Sequence, residues 1–287
     1  MPDEDVLERL ASEPLSQTSI DDVSAWKASR TAHGDPFADA VLGGLHADRP
    51  SWAFAAGYFA ATSRFAPNAG LAALCATEDR PPVHPARIAT TYVEGRVRGH
   101  KGFVTLGAHA DTLLVLASAG RDGDRHRLVL VNVDARDPGV RITPGPALSF
   151  VPEVDHANAE FDDAPGVALP GDGWTDFVRP FRTIEDVHVH LALLGWTLRL
   201  ARRAGLDDAL ERALALIAAG ASLASRSPDD KVTHRAVAGF IDLVHDFINS
   251  FPWDRVDPAS SAAWARDRRL LQVASSARDA RRRNARA

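Results

Sequence analysis

Apolar and polar positions along the chain pass through three regimes. Up to about residue 70 the apolar residues group into short helical stretches. "PDEDVLERLAS" and "TSIDDVSAWKASR" open on acidic residues, which suit the positive end of a helix dipole. "DPFADAVLGGL" predicts a weaker helix because of its glycines, and "RPSWAFAAGYFAATSRF", rich in Trp, Phe and Ala, a mostly buried one. From about residue 71 the period shortens. "ARIATTYVEG", "KGFVTLGA", "DTLLVLAS", "HRLVLVNVD", "GVRITPG" and "ANAEFDDAP" are β-rich runs punctuated by Gly, Pro, Asp and Asn, the habit of an antiparallel barrel or sandwich. "SAGRDGDRH" reads as a polar hairpin tip.

From about residue 180 the helical period returns. Ile184, Val187, Leu191, Leu194 and Leu198 step by three and four; Leu206, Leu210, Leu214 and Ile217 make a second stripe. Val237, Phe240, Val244, Phe247 and Phe251 make a third, and Trp264, Leu271 and Ala274 begin a fourth helix. With breaks at Gly205, Pro228 and Pro258, this spacing predicts a four-helix bundle. The expected organisation is α+β: an N-terminal helical region over 1–70, a middle β-domain over 71–178 and a C-terminal bundle over 179–287.

The 287 residues, 45% apolar, suffice for a sizeable core or two modest ones. The net charge of −5 argues against nucleic acid as a partner, since phosphate binding needs a basic face. The acidic first residues lack an apolar run, so no signal peptide is expected, and no stretch reaches ~18 apolar residues, so no membrane span is expected. A single cysteine, Cys75, excludes an intrachain disulfide and fits a reducing, cytoplasmic setting. Positive charge is nearly all arginine; Lys27, Lys101 and Lys231 are the only lysines, which reads as coding bias.

Candidate chemistry from the residues alone is sparse. His188 and His190 are two apart on a predicted helix and cannot share one ion, so no metal site is expected, whereas Asp186 and His190, four apart, can hydrogen-bond. Cys75, among Leu74 and Ala76, reads as a core residue. The glycines at 43–44 and 171–173 are turn glycines outside any dinucleotide-binding pattern. "RDRRLLQVASSARDARRRNARA" reads as a solvated basic tail with a frayed end.

The stretch "VEGRVRGHKGFVTLGAHADTLLVLA" is more specific: a strand, a Gly-x-Lys turn at Gly99 and Lys101, the triplet Phe103-Val104-Thr105, then Gly107-Ala108-x-Ala110-Asp111 and an apolar strand. It resembles the middle β-domain of the acyl-CoA dehydrogenase family. "RLVLVNVDARDPGVRI" is similar to the family's next hairpin, "AEFDDAPGVALPGDGW" to its exit from that domain, and "LCATE" to the Thr-Glu that enters it. The resemblance spans roughly residues 50 to 285. It implies the family's fold: a short N-terminal helical region, a central antiparallel β-barrel or sandwich and a C-terminal four-helix bundle.

It also implies bound FAD and oxidation across the CH–CH bond of an acyl thioester, with a carboxylate taking the α-proton and the flavin taking the β-hydride. Thr77 matches the threonine at the flavin's pyrimidine edge, Thr105 the hydroxyl residue near its N5, and Phe103 stands for the usual Trp beside the ring. In isolation Thr105 reads equally as a strand threonine and Phe103 as a core aromatic. The segment "LLQVASSARDARR", where many members carry the base, has no glutamate. Glu185, ten residues before Gly195, matches the base of other subfamilies; it also reads as a first-turn carboxylate behind Thr183 as N-cap. Departures from the family are the proline-rich "DRPPVHPAR" where a phosphate-binding turn stands, "RRAGLDDALERA" where an FAD-binding Arg-x-x-Phe-Gly stands, and the missing Gly-Gly-x-Gly. They keep open a non-catalytic member serving as a partner subunit or an acyl/CoA-binding module. The family also implies a dimer or tetramer, or a mixed oligomer with a full-length homologue.

Overall fold

The computed structural model describes residues 4–16, 18–78, 83–123 and 125–286. Four helices come first: α1 (Glu4–Ser12), α2 (Val23–Ser29), α3 (Pro36–His46) and α4 (Pro50–Ser63). Seven strands follow: β1 (Ala72–Cys75), β2 (Thr91–Val93), β3 (Arg96–Thr105), β4 (Thr112–Asp122), β5 (Arg125–Asp134), β6 (Val140–Pro144) and β7 (His156–Ala168). The last part holds α5 (Arg179–Ala204), α6 (Asp207–Ala224), α7 (Lys231–Asn249), α8 (Pro258–Asp267) and α9 (Ser275–Arg286). The chain divides into a helical unit, residues 1–61, 149–153 and 183–287, and a β-unit, residues 62–148 and 154–182.

In the β-unit, β4 pairs with β2, β2 with β3, β3 with β7, β7 with β5 and β5 back with β4, so the sheet closes on itself. Leu113, Val115 and Ala117 of β4 point to the interior with Val131, Val133, Ala157, Ala159 and Phe161. The alternate residues Leu114 and Leu116 pack outside against Leu128, Leu130 and Val178. Strand β4 is therefore buried on both faces, which is why "TLLVLA" shows no alternation, whereas "ANAEFDD" in β7 alternates cleanly. The hairpin-like punctuation predicted a wholly antiparallel sheet, but the sheet is mixed. Strand β1 runs parallel to β4, and β2 meets β4 in parallel at Thr91 and Ser118. The β2–β3 hairpin is the crossover between β1 and β4, and a strand as short as "AALC" leaves no period to read.

In the helical unit α5 is buried nearly all round: Leu191, Ala192, Leu193, Leu194, Trp196 and Leu198 are each at most 1% exposed. Its predicted stripe is buried, but so are the residues between, as befits a central helix. The weak helix expected at "DPFADAVLGGL" is a full one, because its glycines sit where helices nearly touch. A Cβ on Gly44 would fall 2.0 Å from the Ala192 carbonyl oxygen, and one on Gly195 would fall 2.2 Å from that of Val41. Asp35 caps α3 by accepting from the Phe37 and Ala38 amides.

Several expectations for the last part change. Of the second predicted stripe Leu206 and Ile217 are buried, but Leu210 and Leu214 are only half-buried, and Ala209, Ala213 and Gly220 of α6 face inward in their place. Thr183 is not an N-cap: a π-helical turn over Gly173–Val178, capped by Asp172, leads straight into α5, so the helix starts earlier than "TIED" suggested. The fourth helix is two helices. Trp264 lies in α8, Leu271 in a 3-10 turn over Arg268–Gln272, and Ala274 adopts φ +61° before α9. The break follows Asp267, whose fully buried carboxylate binds Arg266 and the Val151 amide. The basic end is no frayed tail: α9 is held by Arg278 and Arg281 against Asp186 of α5. No described helix is long and apolar enough to cross a membrane.

Gly195→Ala drives a methyl group into a carbonyl that cannot move without shifting α3. It should cost about 1–3 kcal/mol, read as a lower urea midpoint with an unchanged m value.

Candidate functional site

Leaving β1, the chain passes from Cys75 to Glu78 beside the middle of β3. The Gly102 amide donates to the Thr77 carbonyl at 2.9 Å. A Cβ on Gly102 would lie 2.9 Å from the Glu78 carbonyl oxygen, so only glycine lets the two segments approach this closely. Next to it Lys101 is fully buried, with Nζ 2.8 Å from Glu78 Oε1. The same carboxylate accepts the amides of Ala89 and Thr90 at 2.9 Å each. Burial raises the Glu78 pKa; the Lys101 hydrogen bond and charge and the two amides outweigh it and bring it down to about 2. Burial lowers Lys101, and Glu78 restores part of the loss. Cys75, also fully buried, is pushed up to about 12 by desolvation despite the nearby ammonium, which fits its reading as a core residue.

This ion pair fixes the turn from which the exposed face of β3 is built. The register between β3 and β7 slips between Lys101 and Val104, and Phe103 sits in that bulge with φ +54° and 44% exposure. Val104 points into the barrel, so Phe103 and Thr105 share the outer face. Thr105 stands opposite His156 and is half-buried; Asn158, opposite the bulge, is exposed. Burial lowers the His156 pKa. Thr77 is half-buried beside Gly102.

Three of the four sequence-derived site residues, Thr77, Phe103 and Thr105, therefore come together on one patch of the β-unit. Glu185 belongs to the helical unit, half-buried on α5. The expected Asp186–His190 hydrogen bond exists but uses the Asp186 carbonyl, 2.6 Å from His190 Nδ1, because the Asp186 carboxylate is taken by arginines; His188 Nδ1 likewise meets the Ile184 carbonyl at 2.7 Å. The proline-rich segment over 79–87 lies partly outside the described residues, at 79–82; in its remainder His84 caps a 3-10 turn over Pro85–Arg87.

Sequence reasoning named Glu78 only as part of "LCATE", without a role, and passed over His156 and Asn158. The signal for Glu78 was Lys101 itself, one of three lysines among 33 basic residues. A compact ammonium fits a closed pocket with one carboxylate, where a guanidinium fork does not. An exposed aromatic face beside two hydroxyls and a carboxamide suits a planar heteroaromatic ring, stacked on the Phe103 side and hydrogen-bonded at its edge.

Lys101→Met leaves Glu78 buried without its counter-charge and should cost about 3–5 kcal/mol in chemical denaturation. Glu78 is more acidic folded than unfolded, so its contribution is whole above its ordinary value of 4.5 and is lost as the pH falls toward 2. Thermal unfolding followed from pH 7 to pH 2 should show that acid limb in the native chain and a flatter one in Glu78→Gln.

No family model matches the sequence, and no curated protein matches it. Many solved structures do share its fold. Butyryl-CoA dehydrogenase from Megasphaera elsdenii superposes with a TM-score of 0.60 at 13% identity, over 93% of this chain and 92% of that one. The prolyl acyl carrier protein oxidase AnaB gives 0.57 at 12% identity, over 94% and 95%. PigA with FAD and proline gives 0.56 at 13% identity, over 85% and 79%. The chain thus has the acyl-CoA dehydrogenase fold that its "GHKGFVTLGAHAD" segment resembles.

Proposed function

We propose that this chain is an FAD-dependent oxidoreductase of the acyl-CoA dehydrogenase type, acting on the CH–CH bond of an acyl thioester. One observation carries the reading: Phe103 is held in a left-handed bulge with its ring exposed, between two half-buried threonines. A large aromatic at positive φ costs on the order of 1–3 kcal/mol, and such strain clusters at ligand sites. The patch also fits a neutral ring system, since the Glu78 carboxylate beneath it is balanced by Lys101. PigA, a fold neighbour, is described with FAD, and butyryl-CoA dehydrogenase is a dehydrogenase of an acyl thioester.

In this reading the Thr77 and Thr105 hydroxyls hydrogen-bond the flavin's edge and the Phe103 ring packs against it. Bound FAD supplies the acceptor for the β-hydride. Glu185 takes the α-proton as the general base. Its alternative role as a helix-start carboxylate falls away, because Asp172 caps the turn and α5 begins at Arg179. Assembly as a dimer or tetramer, or with a full-length homologue, belongs to the same reading.

Purified protein should carry flavin absorption in the visible range, and an acyl-CoA should bleach it. Phe103→Ala and Thr105→Ala should each weaken flavin retention, read by the free flavin lost on dialysis. Glu185→Gln should keep the flavin and abolish its reduction. A colourless protein that takes up no FAD would favour the non-catalytic partner or acyl-binding role, and reduction unchanged in Glu185→Gln would remove Glu185 as the base.

A further inference from the structure

The helical unit contains a half-open cavity of about 230 Å³ between α5, α7, the 3-10 turn and α9. Its apolar wall is Val237, Ala238, Ile241 and Leu271, and its polar wall carries Arg278 and Arg281. It lies on a different side of α5 from Glu185. At about 100° per residue, Asp186 is about 100° and His190 about 140° around the helix from that glutamate.

Behind the polar wall two arginines share one aspartate. Arg278 and Arg281 both bind one carboxylate, that of Asp186, and all three side chains are less than 20% exposed. Arg278 also donates to the carbonyls of Leu271 and Val273, closing the 3-10 turn, so it is spent on structure. Arg281 binds the Asp186 carboxylate, which it shares with Arg278, and donates to the Thr183 hydroxyl at 3.3 Å. Each of the two guanidiniums therefore has part of one carboxylate rather than an anion of its own.

The other charged side chains of the lining are Arg282, Asp242 and Asp279. Arg282 is matched by Asp242 at 2.8 Å. Asp279 is exposed, so solvent and salt screen it. The histidines add nothing. His190 donates from Nδ1 to the Asp186 carbonyl, its Nε2 lies 3.1 Å from His245 Nε2, and burial lowers its pKa. Burial, the His190 neighbour and the Arg278 charge push His245 down to about 4 against the opposing charges of Asp242 and Asp186.

We propose that this cavity is a binding site for a short-chain carboxylate, with the anion on Arg281 and the alkyl body against Val237, Ala238, Ile241 and Leu271. The carboxylate gives Arg281 an anion of its own, and the alkyl chain covers the apolar wall. The site does not depend on the flavin reading.

The test is calorimetric titration of the full-length chain with sodium hexanoate and, separately, with hexan-1-ol, which has the same chain and no charge. Hexanoate should bind saturably and hexanol should not. Arg281→Gln leaves Asp186 in a balanced pair with Arg278, so the fold should persist by circular dichroism while hexanoate affinity falls at least ~10-fold. Arg281→Lys should retain most of it. Equal binding of the alcohol, no binding of hexanoate to the native chain, or full affinity in a folded Arg281→Gln protein would overturn the proposal. Should Arg281→Gln fail to fold, the comparison of acid with alcohol on the native chain decides alone.

Discussion

The β-unit turns on one buried ion pair. Lys101 of β3 and Glu78, just past the end of β1, are brought together from segments far apart in sequence, and around them the Ala89 and Thr90 amides and the Gly102–Thr77 bond close a knot. A buried pair of this kind is weak evidence for stability, since its desolvation cost consumes much of its attraction. What it fixes is geometry. With Lys101 buried and Val104 back in the core three residues later, Gly102 and Phe103 between them take up the register slip, and Phe103 is the one left exposed. The exposed aromatic is thus a consequence of how the lysine is buried.

The helical unit depends on a steric constraint of another kind. Gly44 meets Ala192 and Gly195 meets Val41, so α3 and α5 cross almost backbone to backbone. Gly57 of α4 approaches Val189 in the same way, its Cβ position 2.5 Å from the Val189 Cα. Small residues at these crossings let a helix as apolar as α5 be surrounded on all sides. They also explain why glycine, unfavourable for an isolated helix, stands inside three of them.

These features were unequally legible. The alternation of "ANAEFDD" and the stripe from Val237 to Phe251 could be read directly, because each element has one buried face. Strand β4 and helix α5 hid their neighbours, since burial on every side erases the period. Strand β1 was too short to carry one, and the split between α8 and α9 hinges on Asp267, a single charged residue whose burial no local pattern announces. At the candidate site the residues that meet the solvent could be picked out by likeness to a motif. The residues that hold them there, Glu78 above all, could not, because their partners are distant in sequence.

Cys75 points to a practical property. Its thiol is fully enclosed in the barrel and stays protonated far above neutral pH, so maleimides and disulfide reagents find no nucleophile on the folded chain. With no other sulfhydryl in the sequence, a cysteine introduced at any surface position would be the sole reactive one. The protein is in effect already a cysteine-free background for spin labels or fluorophores, with the barrel wall serving as the protecting group.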